Sequence, residues 1–456
     1  MILTKDKNFY KSLFLLSLPI ALQNLVTFSI GLADNVMTGA LGDAAISGVY
    51  MGGQIQTLLQ VVSTGIEASI LVIAAQYWGK RDTESIRRTV AIGMRFSLSI
   101  SVIATLVCAI FPSFVISLFT KDAATIAAGA EYLSITAYSF IFFCTTQTLI
   151  SAMRSVESPK IGLFVSLASL VINVSLNYVL IFGKLGLPAL GVKGAAIATL
   201  IARIAELIIT VVYVRLVDKK LLFRFRELLK VDRELTRDFI KYGTPIIAGQ
   251  LVWAANVMTN SAIMGRLEGE GIVAAVSVTN TLHNLTYVVM NGMSSAVGII
   301  TGKTIGEGKS HLMREYAYTV QLLFLALGLL TGGVIQLLKS PFIALYNISA
   351  AAASHANSLI NVISVTVVGT CYQAACLAGL VKSGGDISFV FKNDLIFVFF
   401  VVIPLSLVCM NLGLAPWIVF AALKCDQILK CFVAVVKINR FNWIKDLTRD
   451  TGHRNV

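Results

Sequence analysis

The chain has 456 residues, 56% of them hydrophobic and only 13% charged, with a mean hydropathy of +0.81, a combination that soluble globular domains rarely reach. The formal net charge of +13 suggests nucleic acid. However, Lys and Arg are dispersed between apolar stretches rather than gathered on one face with stacking aromatics or a docking motif, which excludes that partner. Lipid is the solvent for most of the chain.

A bilayer core about 30 Å thick needs roughly 20 apolar residues per helix. The first such stretch, around Leu13 to Ile30, is too long for a removable signal and lacks a small-residue cleavage site, so it reads as a spanning helix. In chain order the apolar stretches predict helices near 13–38, 48–75, 90–116, 126–152, 161–183 and 193–216, then 240–265, 272–300, 316–338, 355–380, 388–410 and 414–437. The one long hydrophilic segment, a basic connector at 217–239 with Phe223 and Phe225 among its charges, separates two halves. The expectation is an all-α membrane protein of twelve transmembrane helices in two six-helix bundles. It has an N-terminal lobe at 1–216, a C-terminal lobe at 240–437 and a cytoplasmic tail at 438–456.

Orientation follows from the excess of Lys and Arg in cytoplasmic loops. With the N-terminus inside, 28 basic residues fall on the cytoplasmic side, including Lys80, Arg81, Arg87 and Arg88. Five fall outside: Lys121, Lys184, Lys193, Arg266 and Lys339. A missing or extra span would put the later basic loops on the wrong side. The expected setting is a plasma or inner membrane with both termini cytoplasmic. The seven cysteines lie in or beside apolar runs, without CxxC pairs or clustered His, so they read as packing residues rather than disulfide or zinc ligands.

The halves resemble each other. Pro19 and Pro245 open helices 1 and 7 at a separation of 226, which also aligns Asp34 with Asn260 and Gly39 with Gly265. At 227, Gly79 in QYWGKRD meets Gly306 in KTIGEGK, and at 228 Arg154 and Ser155 fall on Lys382 and Ser383. An even number of spans per repeat implies a pseudo-two-fold axis along the membrane normal, with a central cavity between bundles that rock to alternate access.

These residues carry a family resemblance. Helix 1, LPIALQNLVTFSIGLADNVMTGALG, has Pro19, Asp34, Gly39 and Gly42 spaced as in multidrug and toxic compound extrusion (MATE) transporters. Helix 2 runs into AAQYWGKRD, like that family's Gln-x-x-Gly loop. LVINVSLNYVLIFGKLGLPALGVKGAAIAT is similar to its Asn-rich helix 5, Gly-Pro loop and start of helix 6, and LVKSGGD precedes helix 11. The resemblance covers essentially the whole chain and is of the bacterial NorM- and DinF-like type. It implies a secondary antiporter that exports amphipathic, often cationic compounds in exchange for Na⁺ or H⁺, with no other cofactor. It also implies a cation site in the N-terminal lobe at Asp34, Asn173, Asn177 and Thr199. Some branches carry Asp at the position of Asn177, so this chain offers one carboxylate fewer. An acid found on helix 7 of other branches is missing from GQLVWAANVMTN.

Read physically, an acid inside a span is a functional candidate because an uncompensated carboxylate in hydrocarbon is costly. At 1.5 Å per residue, Asp34 lies roughly 30 Å beyond Leu13, Asn173 and Asn177 about 20 Å into helix 5, and Thr199 about 10 Å below the outer start of helix 6, all in the outer half. Asn173 and Asn177 at i, i+4 share a helix face. Their amide oxygens, with a carboxylate and a hydroxyl, form the hard-oxygen set that a small cation such as Na⁺ prefers. A proton could serve equally. The alternative is that Asp34 caps its helix and the two Asn bridge helices.

Glu67 interrupts helix 2 and must face protein or water, either in the cavity or in a packing role. Asn280, Asn284 and Asn291 on helix 8, and Gln250, Asn256 and Asn260 on helix 7, form stripes expected to line the central cavity. His283 adjoins them and could titrate near neutrality, or serve as a hydrogen-bonded structural residue. Arg203 with Glu206, and Asp426 with Lys430, have the spacing of structural ion pairs.

Other functions are less well served. A flippase or exporter of a lipid-linked or metabolite cargo could share this fold, but the polar residues expected in the first-lobe cavity are acidic or amide, which favours cationic cargo. No nucleophile–base pair or metal triad marks an enzyme, and no phosphate-binding Gly-Lys loop marks ATP-driven transport. The expected partners are small amphipathic molecules and the bilayer, with the protein a monomer.

Overall fold

The computed structural model describes every residue except 1–2, 268, 270, 347 and 450–456, so Arg454 and the end of the expected tail lie outside the described residues. The described chain is helical almost throughout, with no strand beyond one isolated bridge between Gly385 and Ile444. The first half contains α1 (Lys7–Gly39), α2 (Asp43–Gly79), α3 (Thr83–Ile110), α4 (Pro112–Ser117), α5 (Ala123–Thr136), α6 (Ser139–Ser155), α7 (Lys160–Phe182) and α8 (Gly191–Val212). The second contains α9 (Arg233–Gly265), α10 (Ile272–Gly306), α11 (Met313–Ala344), α12 (Ala350–Gln373), α13 (Ile387–Ile396), α14 (Ile403–Asn411), α15 (Pro416–Leu423) and α16 (Asp426–Asn439). A π-helical segment, Ala374–Lys382, prolongs α12, and another, Phe397–Val402, joins α13 to α14.

Among the described residues nine helices are long and apolar enough to cross a bilayer, and α5 and α6, bent by 52°, together make a tenth. The remaining two segments are the polar ones. Helix α9 is 33 residues long, about 50 Å at 1.5 Å per residue, but carries Gln250, Asn256 and Asn260 within its length. The pair α15 and α16 is interrupted at Lys424 and Cys425. Twelve crossing segments result, six in each repeat, as the hydropathy pattern leads one to expect.

The repeat is visible in the helix bounds. Helices α1 and α9 are both 33 residues long, and each carries its internal proline, Pro19 or Pro245, at the same place along its length. Several helices run further than the apolar stretch that announces them, α2 to Gly79, α10 to Gly306 and α9 from Arg233. The hydrogen-bond ladder does not stop where hydrocarbon does. Conversely, the third helix, expected to reach 116, ends at Ile110, because Pro112 has no N–H to continue it and instead opens α4 at its first turn. The fourth is broken after Thr136 rather than continuous.

Contacts divide the chain into two compact units: one of Leu22–Ala74 and Arg81–Ile247, the other of Met1–Ala21, Ala75–Lys80 and Ala248–Val456. The first unit is built on Leu59, Cys108, Ile116, Leu133, Phe140 and Cys144, with a second cluster around Val49, Tyr132, Ile181 and Ala196. The connector belongs to this unit and is packed rather than loose. Asp218 accepts from the amides of Leu221 and Leu222 at 3.0 and 2.8 Å, and Leu221 and Phe223 are buried. Its charges are tied down as well, Asp232 to Arg88 at 2.9 Å and Lys220 Nζ to the carbonyls of Val156 and Glu157 at 2.9 Å each. The second unit packs around Ile263, Met290, Ile360, Val402, Val419 and Phe420. The seven cysteines are unpaired, five buried and Cys425 and Cys431 partly so.

Candidate functional site

Four elements of the first unit position one polar cluster. Helix α7 exposes mostly apolar side chains and turns a polar stripe inward, so Asn173 and Asn177 are buried, at 1% and 0% exposure. One turn apart, they share a face, and the Asn177 amide nitrogen donates to Asn173 Oδ1 at 3.2 Å. The same nitrogen donates to Asp34 Oδ1 of α1 at 2.5 Å. Asn177 Oδ1 is buried without a hydrogen-bond partner. Thr199, on α8, is buried and its side chain interacts with Tyr132 of α5, and Tyr132 in turn interacts electrostatically with Asp34.

All four residues expected at the cation site therefore belong to one cluster, three of them linked directly and Thr199 through Tyr132. The donor set suits a small hard cation: a carboxylate, two amide oxygens and a hydroxyl. The orphan Asn177 Oδ1 supplies the structural sign, since a buried carbonyl oxygen normally has a partner and leaving it without one costs free energy. The sequence reading missed Tyr132. Its only signal is its place in GAEYLS, on a helix that resembles any other apolar span, and its relation to Thr199 depends on how α5 meets α8.

The Arg203–Glu206 pair forms as expected. Arg203 Nη1 reaches both carboxylate oxygens of Glu206 at 2.9 Å, and its guanidinium lies 4.9 Å from the centre of the Phe143 ring. Arg203 also interacts electrostatically with Asp34, so it is not merely neutralised in place. Glu67, deeper in the same unit, accepts from Ser63 Oγ at 3.0 Å and interacts electrostatically with Arg154. Arg154 itself donates to Gln23 Oε1 at 2.8 Å. Glu67 is thus held by protein partners, as an acid at membrane depth requires.

The remaining expected cavity residues lie in the second unit. On α9, Asn256 and Asn260 stand one turn apart, each with a buried, unpartnered Oδ1, and Gln250 is half-buried. On α10, Asn280 and His283 are half-buried and Asn284 is exposed. Stacking of Trp253 of α9 on Tyr287 of α10, 5.8 Å apart at 16°, brings the two stripes to neighbouring helices. His283 Nε2 lies 3.4 Å from Lys424 Nζ. An ammonium can only donate, so this contact requires a neutral imidazole with a bare Nε2, which favours the structural role over titration near neutrality.

The same unit holds a charged triad only half legible in the sequence. Lys430 Nζ sits 3.0 Å from Asp426 and 2.9 Å from Asp394, which lies on α13. Asp426 is the i, i+4 partner that spacing announces; Asp394 is 36 residues away and needed the fold to find it.

The MatE family profile matches residues 19–179 and again 245–408, two copies in tandem. A probable multidrug resistance protein NorM of Agrobacterium fabrum is 24% identical over 386 residues, 83% of this chain and 82% of that protein. An uncharacterized transporter, YisQ of Bacillus subtilis, is 25% identical over 430 residues, 91% of each chain. In fold, a variant of the Vibrio cholerae MATE transporter VcmN superposes with a TM-score of 0.86 at 16% identity, over 96% of this chain and 98% of that one. With both halves matched in order, and with relatives and fold in agreement, the chain belongs to the MatE family of multi-pass membrane transporters.

Proposed function

We propose that this protein is a secondary antiporter that exports amphipathic, cationic compounds in exchange for Na⁺ or H⁺ by alternating access. The observation that carries the reading is the Asp34–Asn177–Asn173 cluster, a lone carboxylate held by an amide whose own oxygen is buried and unpartnered. With Thr199 it offers one negative charge and neutral oxygens, which suits one monovalent cation. The name of the Agrobacterium relative, a multidrug resistance protein, supports small-molecule cargo.

In this reading the six-helix lobes span 1–216 and 240–437, joined by the connector at 217–239. The protein sits as a monomer in the plasma or inner membrane with both termini cytoplasmic, as the 28-to-five division of basic residues favours. The residues proposed to contact cargo are Glu67 in the first unit and Gln250, Asn256, Asn260, Asn280, His283 and Asn284 in the second. Their amides satisfy polar groups of varied ligands, while the stacked Trp253 and Tyr287 offer a flat apolar wall to an aromatic cation.

The test is cargo export from sealed vesicles with Na⁺ and pH gradients imposed separately and ATP omitted. Export driven by one gradient and abolished by its collapse is the expected result. Export indifferent to both gradients would remove the antiport reading.

A further inference from the structure

The Gln-x-x-Gly segment at the end of α2 takes no part in the cation cluster, yet it is one of the most heavily bonded places in the chain. Gln76 is fully buried, and every hydrogen-bonding group of its amide is used. Nε2 donates to the carbonyls of Ser383 and Lys445, both at 3.2 Å, and Oε1 accepts from the amide of Leu447 at 2.7 Å. The next residue, Tyr77, accepts from the amide of Arg449 at 3.2 Å, and Lys80 pairs with Asp446 at 3.1 Å.

The tail that makes these bonds is itself anchored. Trp443 is completely buried and lies against Gly384, where any Cβ would run into its ring. Ile444 bridges to Gly385, and the Lys445 amide donates to the carbonyl of Gly384 at 2.7 Å. Lys445 and Lys437 both reach Asp386, at 2.8 and 2.5 Å.

Beneath the tail, the last turn of α2 meets the end of α10 backbone to backbone. A Cβ on Gly306 would collide with the carbonyl of Gln76, and one on Gly79 with the carbonyl of Lys303. Gly79 and Gly306 are the equivalent glycines of the two repeats, so two related helix ends close on each other here without side chains between them. This also accounts for Ala75–Lys80 belonging to a different compact unit from the rest of α2.

We propose that residues 443–449 form a strap that fastens the end of α2 to the turn before α13, over the place where α2 meets α10, and that Gln76 is its buckle. Releasing the strap is a required step in opening the cytoplasmic side. Helix α2 is unbroken from Asp43 to Gly79, so a motion on this face that carries α2 away from α10 as one rod must break the contact. This rests on the alternating-access reading above and on its assignment of this face to the cytoplasm.

The test uses the full chain with its seven cysteines replaced and one of two reporters added. Ser383→Cys is nearly isosteric and lies buried beside the tail; Ala75→Cys lies buried against Gly302 at the helix contact. Labelling by a small thiol reagent is followed with and without Gln76→Leu or Trp443→Ala, with thermal melting as the check on folding. Both reporters should react roughly tenfold faster in the unstrapped proteins, the shift that losing one or two net hydrogen bonds gives. Unchanged rates in a folded variant, or a faster Ser383→Cys with Ala75→Cys unchanged, would overturn the strap. Should both variants misfold, hydrogen exchange in the unmutated chain decides. The amides of Lys445 and Leu447 should open together with that of Lys80, and tail amides exchanging far faster would overturn it. None of these readouts is transport, so a protein that labels as expected but moves no cargo under either gradient would count against antiport and leave the strap standing.

Discussion

Asn177 donates its amide to Asp34 at 2.5 Å and keeps its own carbonyl oxygen buried and unpartnered. A structural bridge between α1 and α7 needs only the NH2 group of Asn177 and leaves that buried oxygen without a use. A cation beside Asp34 would give the oxygen its partner.

The first prediction concerns charge. Asp34→Asn keeps shape and hydrogen-bonding capacity but cannot exchange a cation for its own charge. Gradient-driven export should fall to the level seen without a gradient, while thermal stability and membrane insertion stay close to wild type. Export that still follows the gradient would take Asp34 out of the mechanism.

Asn177→Asp puts a second carboxylate within contact distance of the first. Two carboxylates this close favour either a shared proton or a bound cation. The half-saturating concentration of the coupling cation should move by about tenfold, the effect of roughly 1.4 kcal/mol. An unchanged ion dependence would show that Asp34 and Asn177 do not share one site.

The buried triad of the second unit gives a stability prediction. Lys430 stands between Asp426 and Asp394, with Lys430 and Asp426 almost inaccessible to solvent. Lys430→Met would leave two carboxylates facing each other and should cost about 3 to 5 kcal/mol, as removal of one partner from a buried pair does. Adding Asp426→Asn and Asp394→Asn should recover much of that loss. Equal melting temperatures for wild type and Lys430→Met would mean that the triad is solvated.

A pH prediction follows from Asp386, which lies between spans. Partial burial opposes its charge, but hydrogen bonds and charges from Lys437 and Lys445 outweigh this and hold its carboxyl below the usual range. Asp446 is held low in the same sense, by Thr448 and Lys80 against partial burial. A carboxyl held low in the folded protein adds stability that is complete above its unfolded pKa of about 4 and is lost as pH falls through the folded value. Docking of the tail should therefore be flat near neutrality and weaken in acid. Trp443 emission, with the other tryptophans replaced, would follow it. Asp386→Asn should shallow the acid step, and adding Asp446→Asn should remove it.

Most of the fold was legible because the bilayer imposes it. Spans must be apolar and about 20 residues long, and Pro19 and Pro245 mark equivalent points of two repeats. What escaped were features set by contacts between distant segments. Nothing near Pro112 in hydropathy separates α3 from α4; only the missing N–H does. Asp394 pairs with a lysine 36 residues on, and Tyr132 joins the Asp34 cluster beside Thr199 of another helix. Gln76 was visible as part of a motif, but its partners are backbone groups of residues 383, 445 and 447, and backbone partners leave no trace in side-chain patterns. The Asn173–Asn177 stripe was legible because its geometry is local, one helical turn.

The last prediction is that cation and cargo bind with mutual antagonism, each favouring the opposite access state. Its motivation is an asymmetry between repeats. Asp34 corresponds to Asn260, and both neighbourhoods contain a buried, unpartnered amide oxygen, on Asn177 in one and on Asn260 in the other. At the corresponding position only the first repeat has a carboxylate. The two positions therefore share a polar side chain but not a charge, and the proposed cation site is confined to the first repeat. A cation on Asp34 changes what Asn177 and Arg203 see, since both interact with that carboxylate, and α1, α7 and α8 must adjust together. Cargo bound beside these helices would feel the adjustment. Linkage then requires reciprocity: the factor by which the cation weakens cargo binding equals the factor by which cargo weakens the cation. Couplings of this kind amount to about 1 to 3 kcal/mol, roughly 5- to 150-fold. Cargo affinity measured on purified protein across Na⁺ concentrations and pH should vary within that range for wild type and become flat in Asp34→Asn. A wild-type affinity indifferent to both cations would sink the exchange mechanism, because nothing would then link the downhill ion to the uphill cargo.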